Sequence, residues 1–370
     1  MAEKKLLQAQ FGIFHETIKL HNTDDNAILR EKRDMLVKEI RDYLNNKFQD
    51  SEDATPTFKE FNQGSYSMNT GTKPTEGNDY DIDVGLDFNF DNEEYTPIEV
   101  KTWIFEALDK KPNRTVIWKK PCIRVQYFKK GEEAYHVDFA CYTGKDYNTD
   151  EKMYLGWGTP NSTLKEWQVS SPKELKDKIN KKYSDADDQR QFSRCIRYMK
   201  RWKDEKFDKV GNERPKGIAL SACTYNWITI STFYDSDGNK IYDDAQCLEN
   251  LVKRMLNEFS WCIHDGEFAQ RLKVHLPVEP HNDLFGKMTN KQMISFKSKL
   301  ETLRDTIVEA RAEPSMKKAC AKLQKVFGDY FPVPDEATDV NQAFKQNAVS
   351  LVSKTTGIGV GVINKGGFYG

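Results

Sequence analysis

The sequence has no long apolar run, no paired cysteine motif and almost no net charge. No apolar stretch reaches the roughly 20 residues that a membrane-spanning helix needs, so no membrane association is expected. The N-terminal stretch is charged and interrupted, unlike a signal peptide. The formal net charge is −1 at pH 7, which does not indicate a general nucleic-acid-binding protein. No specific nucleic acid partner is therefore expected.

Cysteine and histidine patterns exclude two common kinds of site. The seven cysteines are scattered and never form a CxxC pair, which argues against a disulfide framework and a structural zinc site. The six histidines show no HExxH or other ligand spacing. This cysteine usage favours a reducing compartment, so the expected location is cytoplasmic.

Hydrophobic periodicity predicts a mixed first half and a helical second half. Helical spacing predicts a helix over residues 24–48, and alternation predicts strands over 58–65 and 80–90. "TPIEVKTWIFEAL" predicts a helix, and "PCIRVQYFKKGEEAYHVDFACY" predicts a hairpin that turns at Lys130-Gly131. Further helices are expected over residues 172–182, 187–206, 217–232, 244–258, 290–311 and 314–327.

Carboxylates recur on one face of these predicted strands. Residues i and i+2 of a strand share a face, so Asp81 and Asp83 project together. Asp138 offers a third carboxylate from the hairpin strand, between apolar neighbours. Three convergent carboxylates suit hard divalent cations such as Mg²⁺, and two such ions can assist an in-line displacement of pyrophosphate. A solvated acidic face is the alternative interpretation.

A glycine-serine turn and a basic region complete the pattern. Gly64-Ser65 offers backbone N–H groups and a hydroxyl that can approach phosphate oxygens closely. The stretch from Lys173 to Lys216 contains fifteen Lys and Arg residues against nine Asp and Glu residues. An acidic strand and a basic helical region together suit a metal-phosphate ligand. The order of the Gly-Ser turn, the DxD strand and the following VD strand is more informative than any one of them.

These motifs resemble a known family. "QGSYSMNTGTKP", "DYDID" and "YHVDFACY" resemble the nucleotidyltransferase core shared by DNA polymerase β and oligoadenylate synthetase. More narrowly, the chain resembles the bacterial CD-NTases, cyclic GMP-AMP synthase-like enzymes whose catalytic domain is called SMODS. Later segments that resemble this family are "CIRYMKRWKDE", "PKGIALSACTYNWI", "VEPHNDLFGKMTNKQMISFKSKL" and "VFGDYFPVP". The resemblance covers roughly residues 25 to 335.

The resemblance implies an α+β fold with two lobes. A polymerase β-like nucleotidyltransferase core, built on a mixed sheet with helices, is expected beside a C-terminal helical lobe. The expected division assigns residues 1–165 to the catalytic core with a long N-terminal helix, and 166–335 to the helical lobe that closes the nucleotide cleft. Residues 336–370 are expected to be a flexible tail.

The resemblance also implies the chemistry. Asp81, Asp83 and Asp138 would bind two Mg²⁺ ions, with Mn²⁺ able to substitute, and Asp138 would help to activate the acceptor hydroxyl. Two nucleoside triphosphates would be joined and cyclised with loss of pyrophosphate. ATP is the expected substrate, with GTP or a pyrimidine nucleotide as further candidates. The implied nucleotide-binding residues are Gln63, Gly64, Ser65, Lys200 and Ser221.

Several of these assignments have alternatives. Lys203 is the substitute for Lys200 as the phosphate-binding lysine, and Ser221 is open to a packing role in its helix. His136 is expected to be a structural neighbour rather than a general base. Side chains near Asn282-Asp283 are candidates for the acceptor-base pocket. An aromatic side chain is expected to stack on a base, although the following tryptophans are expected mainly as core or lobe contacts: Trp103, Trp118, Trp157, Trp167 and Trp202.

Members of this family act in CBASS antiphage defence, where the cyclic product is a second messenger that activates a downstream effector. Several operons of the family encode an E1/E2-like ligase that conjugates the synthase through its C-terminal residue. The chain ends in "INKGGFYG", and a terminal glycine has no Cβ to obstruct such a reaction. Gly370 is therefore a predicted conjugation point, with a chance glycine-rich end as the alternative.

Two other functions stay open from the sequence. One keeps the fold and changes the product, as a linear oligonucleotide synthase or an RNA or protein nucleotidyltransferase. The other belongs to a different class, a catalytically silent scaffold or conjugation target. Three intact, mutually repelling carboxylates argue against the silent protein.

Overall fold

The fold was analysed in a computed structural model of the chain. The structure describes residues 2–20, 24–52, 54–75, 80–129, 132–144, 152–208 and 213–335. No helix within these ranges is both long and apolar enough to cross a membrane. The predicted turn at Lys130-Gly131 and the predicted tail, with Gly370, lie outside the described residues.

Helices dominate the second half of the chain, as predicted. Those in the described residues are α1 (Ala2–Ile18), α2 (Asp24–Phe48), α3 (Gly64–Ser67), α4 (Pro97–Leu108), α5 (Pro172–Asn180), α6 (Ala186–Lys206), α7 (Gly217–Trp227), α8 (Asp244–Asn257), α9 (Asn290–Ala312) and α10 (Met316–Phe327). Local chemistry sets several ends. Thr96 and Glu99 form a capping box at α4, and Pro97 occupies its first position, where no intrahelical N–H bond is lost.

Strands are concentrated in the first half. They are β1 (Phe58–Asn62), β2 (Tyr80–Asn89), β3 (Arg114–Trp118), β4 (Ile123–Lys129), β5 (Glu132–Gly144), β6 (Met153–Trp157), β7 (Glu166–Ser170), β8 (Thr232–Tyr234), β9 (Lys240–Tyr242), β10 (Ser260–His264) and β11 (Glu267–Arg271). The predicted strand over 58–65 ends early, at Asn62. Gly64 has a φ of +64°, which turns the chain into the short helix α3.

The first seven strands form one mixed sheet. Its order is β1-β2-β5-β4-β3, with β6 paired to the far end of β5 and β7 paired to β6. The β2–β5 pair is parallel, and its neighbours are antiparallel. The parallel pair therefore brings two chain segments that are far apart in sequence into the centre of the sheet.

Two large apolar cores support the fold. One lies between a face of the sheet and helices α2 and α4, and includes Leu36, Ile40, Leu44, Val84, Phe88, Val100, Ile104, Val137 and Phe139. The other lies among α1 and α6 to α10, and includes Phe11, Phe14, Tyr198, Trp202, Leu220, Leu248, Phe296 and Phe327. A mixed sheet domain and a helical part are thus each built on their own core, and the α+β expectation is confirmed.

Two features of the structure lead us to propose a different division of the chain. Helix α1, for which the sequence analysis predicted no element and which falls in its expected catalytic core, packs into the helical core. The rings of Phe11 and Phe14 lie 5.2 and 5.5 Å from that of Tyr198 on α6. Strand β7 also carries the sheet to Ser170, beyond the expected boundary at residue 165. We propose that the division falls after Ser170, with α1 added to the helical part.

Helix α7 is shorter than predicted. It ends at Trp227, whereas the sequence predicts a helix to residue 232, because Ile228 adopts an extended conformation. The run "ITIST" that follows is rich in β-branched residues, which lose side-chain freedom in a helix. The short hairpins β8–β9 and β10–β11 are further elements that the sequence analysis did not predict.

Candidate active site

The predicted carboxylates lie on two adjacent parallel strands. Asp83 of β2 is directly opposite Asp138 of β5, and Asp81 is opposite His136. These four side chains share the face of the sheet that looks away from α2 and α4. The other face of β2 is apolar and packs in the sheet core through Ile82, Val84, Leu86 and Phe88. The alternation of β2 therefore sorts its acidic and apolar residues to opposite faces, as predicted.

Asp138 is held by an arginine that the sequence analysis missed. Arg124 lies opposite Asp138 on the antiparallel strand β4. Its Nε donates to Asp138 Oδ1 at 2.8 Å, and a terminal nitrogen donates to Oδ2 at 2.7 Å. Such a two-pronged pair holds a carboxylate in one plane. Arg124 thus orients Asp138 and offsets part of the negative charge in the cluster.

Asp83 has no such partner in the described contacts and sits against backbone. A Cβ built at Gly64 would lie 1.8 Å from Asp83 Oδ2, so the carboxylate packs directly on the glycine. Burial, followed by repulsion from Asp81 and Asp138, raises the pKa of Asp83 to about 8. The clustered carboxylates therefore create a strong local preference for added positive charge.

A divalent cation fits this arrangement. His136 Nε2 lies 2.9 Å from Asp81 Oδ1. Asp81, His136 and Asp138 each offer a ligand atom, and these atoms lie within 4.8 Å of one another. The half-exposed Asp81 faces the cleft, whereas His136 and Asp138 are buried. Carboxylate oxygens suit Mg²⁺, and a cation here would relieve the repulsion that acts on Asp83. The donor set therefore fits a metal ion.

The glycine-serine turn borders the same cleft. Gln63, Gly64 and Ser65 all line it. Gln63 is fixed from both sides, because its N–H donates to the Asp83 carbonyl at 3.0 Å and its Oε1 accepts from the Tyr142 hydroxyl at 2.8 Å. The turn is therefore attached to the strands that carry the carboxylates.

Lys200 of α6 also reaches the cleft, through a contact that the sequence could not predict. Its Nζ donates to the Thr70 carbonyl at 2.9 Å and lies 3.0 Å from the Thr70 hydroxyl. Thr70 in turn donates its N–H to the Ser65 carbonyl at 3.0 Å. Burial, followed by the nearby Lys203 and Arg197, lowers the pKa of Lys200 to about 7. Thr70 thus links the Lys200 ammonium to the predicted phosphate turn.

More cations line the wall opposite the carboxylates. Lys203, Arg214 and Lys216 border the cleft together with Lys200. Asp204 lies between two of them, 2.8 Å from Lys203 Nζ and in an ion pair with Arg214. The cleft therefore has an acidic wall from the sheet and a basic wall from the helical part. The sequence signals for this wall were the local excess of basic residues and the family resemblance that singled out Lys200, with Lys203 as its substitute.

Two predicted residues have local contacts that favour structural roles. Ser221 borders the cleft, but its hydroxyl donates to the Gly217 carbonyl of its own helix at 3.1 Å. Asp283 accepts hydrogen bonds from the backbone N–H groups of Val274 and Phe285. Neither Asn282 nor Asp283 is among the described residues that line the cleft. Asp283 therefore orders its own loop.

The cleft is large enough for nucleotides. It encloses about 930 Å³ between the acidic face of the sheet and the helical part. Its lining also includes the apolar residues Leu155, Trp157, Leu276, Val278 and Pro280. Apolar and charged walls thus meet in one concave site, which is typical of a ligand pocket.

Comparison with known proteins agrees with this geometry. Residues 56–142 match the family model described as "Cyclic GMP-AMP synthase DncV-like, nucleotidyltransferase domain". A cyclic GMP-AMP synthase from Escherichia albertii is 30% identical over 166 residues. That alignment covers 43% of this chain and 34% of the relative, so it spans about a third of that protein.

Solved structures of the same kind share the fold. The Vibrio cholerae DncV cyclic AMP-GMP synthase superposes with a TM-score of 0.65 at 19% identity, covering 86% of this chain and 93% of that one. Escherichia coli DncV bound to 3′-deoxy GTP gives a TM-score of 0.65 at 18% identity, with 85% and 93% coverage. The chain therefore has the polymerase β-like fold with a helical C-terminal part, and residues 56–142 match a DncV-like nucleotidyltransferase domain.

Proposed function

We propose that this chain is a Mg²⁺-dependent nucleotidyltransferase that converts nucleoside triphosphates into a cyclic di- or oligonucleotide with release of pyrophosphate. The observation that carries the proposal is that Asp81, Asp83 and Asp138 share one face of the adjacent strands β2 and β5, beside the Gly64-Ser65 turn. The similarity to cyclic GMP-AMP synthases supports the cyclic product. The Vibrio cholerae enzyme has been solved with ATP and GTP, which supports these two substrates.

The proposed reaction is a displacement at the α-phosphorus of one nucleotide. A ribose hydroxyl of a second nucleotide attacks, forming a new P–O bond and losing its proton. The bond between the α-phosphorus and the bridging oxygen breaks, and that oxygen leaves with pyrophosphate. Repetition of the step within the linked product closes the ring. Bound at Asp81, Asp83 and Asp138, Mg²⁺ would supply charge neutralisation and activation of the hydroxyl.

The chain's own residues would position the two reactants. Asp138, held by Arg124, would accept a hydrogen bond from the attacking hydroxyl. Backbone N–H groups at Gly64 and Ser65 would donate to the triphosphate of the other nucleotide. The ammonium of Lys200 would neutralise charge that develops on the leaving pyrophosphate.

The wider setting follows from the family resemblance. We propose that the product is a second messenger in CBASS antiphage defence, made in the cytoplasm and detected by a downstream effector. We also propose that an E1/E2-like ligase conjugates the chain through Gly370. Deleting Gly370 and blotting for higher-mass adducts beside such a ligase tests the second part, because adducts that persist would contradict it.

Pyrophosphate release tests the nucleotidyltransferase chemistry directly. The purified chain is incubated with Mg²⁺ and the four ribonucleoside triphosphates, and pyrophosphate and orthophosphate are measured separately. Pyrophosphate is expected, with a loss of at least about 100-fold in the Asp83→Asn variant. Asp42→Asn is the control, because Asp42 is exposed on α2 and pairs only with Lys38 among the described residues. Orthophosphate alone, or equal rates in Asp83→Asn and the parent chain, would contradict the proposal.

A further inference from the structure

Trp157 occupies a defined place on the acidic face of the sheet. Strand β6 pairs with β5 so that Leu155 lies opposite Tyr142. The glycine between Leu155 and Trp157 points to the other face, where a Cβ on Gly156 would meet the Cys141 sulfur at 2.5 Å. Because side chains alternate along a strand, Leu155 and Trp157 both face the cleft.

The indole is within a nucleoside's reach of the carboxylates. Tyr142 and Asp138 lie on the same face of β5, four residues apart, and Trp157 is two residues beyond Leu155 in the antiparallel direction. Extending this register two residues past its last pair, at Leu155, with a rise of about 3.4 Å per residue and about 4.8 Å between strands, gives a Cα separation on the order of 10 Å between Trp157 and Asp138. A ribose whose hydroxyl lies at Asp138 can therefore place its base near Trp157.

The backbone that follows Trp157 is fixed by a buried lysine. Lys101 of α4 is fully buried, and its Nζ donates to the carbonyls of Lys119, Lys120 and Gly158 at 2.7, 2.9 and 2.5 Å. The Gly158 N–H also donates to the Lys120 carbonyl at 2.9 Å. These bonds anchor the end of β6 to the β3–β4 turn. A rigid support of this kind is what an aromatic stacking surface requires.

The helical part supplies a cation above the ring. Lys287 Nζ lies 5.5 Å from the centroid of the Trp157 ring. Leu276 and Val278 line the same cleft as Trp157. A base that displaces the ammonium from the ring would meet the aromatic face and keep a hydrogen-bond donor close to its edge.

We propose that the base of one of the two nucleotides stacks on Trp157 in the place that the Lys287 ammonium holds over the ring, and that the displaced ammonium donates to the edge of that base. Guanine suits this site better than adenine, because its O6 and N7 are both acceptors on one edge. The proposal rests on the proposed function, since it concerns a nucleotide bound in the same cleft, and it adds which residues read the base.

Equilibrium binding tests the stacking role without turnover. Calorimetry would compare the parent chain with Trp157→Leu and Trp157→Phe, using non-hydrolysable GTP, non-hydrolysable ATP and inorganic tripolyphosphate as probes. Trp157→Leu should weaken at least one nucleotide about tenfold, whereas tripolyphosphate should change less than about twofold. Trp157→Phe should recover part of the loss. Trp261→Leu is the control, because Trp261 is 59% exposed on the β10–β11 hairpin.

Two results would overturn the stacking role. Unchanged binding of both nucleotides to Trp157→Leu would show that no base contacts the ring. A parallel loss for nucleotides and tripolyphosphate would show that Trp157 only supports the cleft. If Trp157→Leu weakens nucleotide binding but not tripolyphosphate binding, and the parent chain forms no cyclic product, the proposed function is contradicted while the role of Trp157 in base binding is supported.

Lys287→Met tests the reading of the base edge. The preference for the GTP analogue over the ATP analogue should fall at least about threefold, because the donor to O6 and N7 is lost. Lys291→Met is the control, since Lys291 is an exposed lysine on α9. A preference that does not change in Lys287→Met would overturn the role of Lys287.

Discussion

Gly64 packs so closely on Asp83 that a Cβ at position 64 would lie 1.8 Å from Asp83 Oδ2. The same glycine has a φ of +64°, a conformation that other residues adopt at a cost. The predicted phosphate turn and the predicted metal ligand therefore share one van der Waals contact. The position of the Gly64 backbone therefore limits where the Asp83 carboxylate can lie.

Substitution of Gly64 by alanine should abolish activity through this contact. The new methyl group would push Asp83 out of the carboxylate cluster, so we expect turnover to fall at least about 100-fold. Gly238→Ala is a matched control, because Gly238 has a φ of +78° and open space where its Cβ would lie. Both variants should lose about 1 kcal/mol of stability from the backbone conformation. Thermal unfolding and turnover would be measured together, and an active Gly64→Ala enzyme would contradict the contact.

The sequence predicts the carboxylates but not all of their partners. Alternation places Asp81, Asp83 and Asp138 away from the apolar core, and the structure confirms this. The parallel pairing of β2 with β5 joins strands that are far apart in sequence, so the alternation within each strand cannot predict it. It sets Asp83 opposite Asp138.

The Arg124–Asp138 pair depends on a bulge. Next to the hairpin turn, Phe128 pairs with Glu133. One residue farther from the turn, Tyr127 pairs with Tyr135 instead of Ala134, so the register shifts by one residue. Without this shift Asp138 would face Ile123. The residues of both strands that pack in the sheet core are odd-numbered, and a two-residue turn would pair odd with even positions. That mismatch was a signal for the bulge, and thus for Arg124.

Arg124→Lys should reduce turnover by roughly 10- to 100-fold. Lysine keeps the positive charge but cannot hold both Asp138 oxygens in one plane, so the carboxylate loses its fixed orientation. The effect should appear in kcat more than in KM for the triphosphates. Arg41→Lys, an exposed arginine paired with Glu60, is the control. Full activity in Arg124→Lys would show that the orientation of Asp138 does not matter.

Lys200 predicts a pH dependence of triphosphate binding. Burial, with Lys203 and Arg197, lowers its pKa to about 7 in the free chain. A bound triphosphate favours the ammonium form and raises that pKa, so binding takes up a proton above about pH 7. Affinity should then fall by up to about tenfold per pH unit as the pH rises above 7.

Lys200→Met provides the comparison for this prediction. Binding of a non-hydrolysable nucleotide would be measured by calorimetry from pH 7.5 upward. This range lies above the titration of the phosphates, so it separates the effect of Lys200 from that of the phosphates. The variant should bind more weakly near pH 7 and lose the decline at higher pH. A decline of equal slope in both proteins would contradict the role of Lys200.

An ion pair between a buried aspartate and a half-exposed lysine joins the sheet to helix α5. Lys173 Nζ of α5 lies 2.7 Å from Asp87 Oδ2, whose side chain is only 3% exposed. Lys173→Met should lower the free energy of unfolding by about 1–3 kcal/mol, because it leaves a buried carboxylate without this partner. Adding Asp87→Asn should recover most of the loss in urea unfolding. Additive losses in the double variant would contradict the coupling.

For helix α1, hydrophobic periodicity can predict the helix itself but not its position in the fold. Leu7, Phe11, Phe14 and Ile18 recur at helical spacing, and this pattern could have predicted the helix. Their partners on α6 and α10 are far away in sequence, so the placement of α1 in the helical core could not be predicted. Strands β6 and β7 have five residues each, and a glycine interrupts β6, so neither strand gave a clear sequence signal.

The mass of the product tests the central claim most directly. The purified chain would be incubated with Mg²⁺ and the four ribonucleoside triphosphates, treated with phosphatase, and analysed by mass spectrometry beside the Asp81→Ala, Asp83→Ala variant. We predict a phosphatase-resistant species with the intact protein alone, one water lighter than the linear chain of the same nucleotides that still carries its 5′-monophosphate. The account would be contradicted if every product were a phosphatase-sensitive linear chain, or if no nucleotides were joined at all.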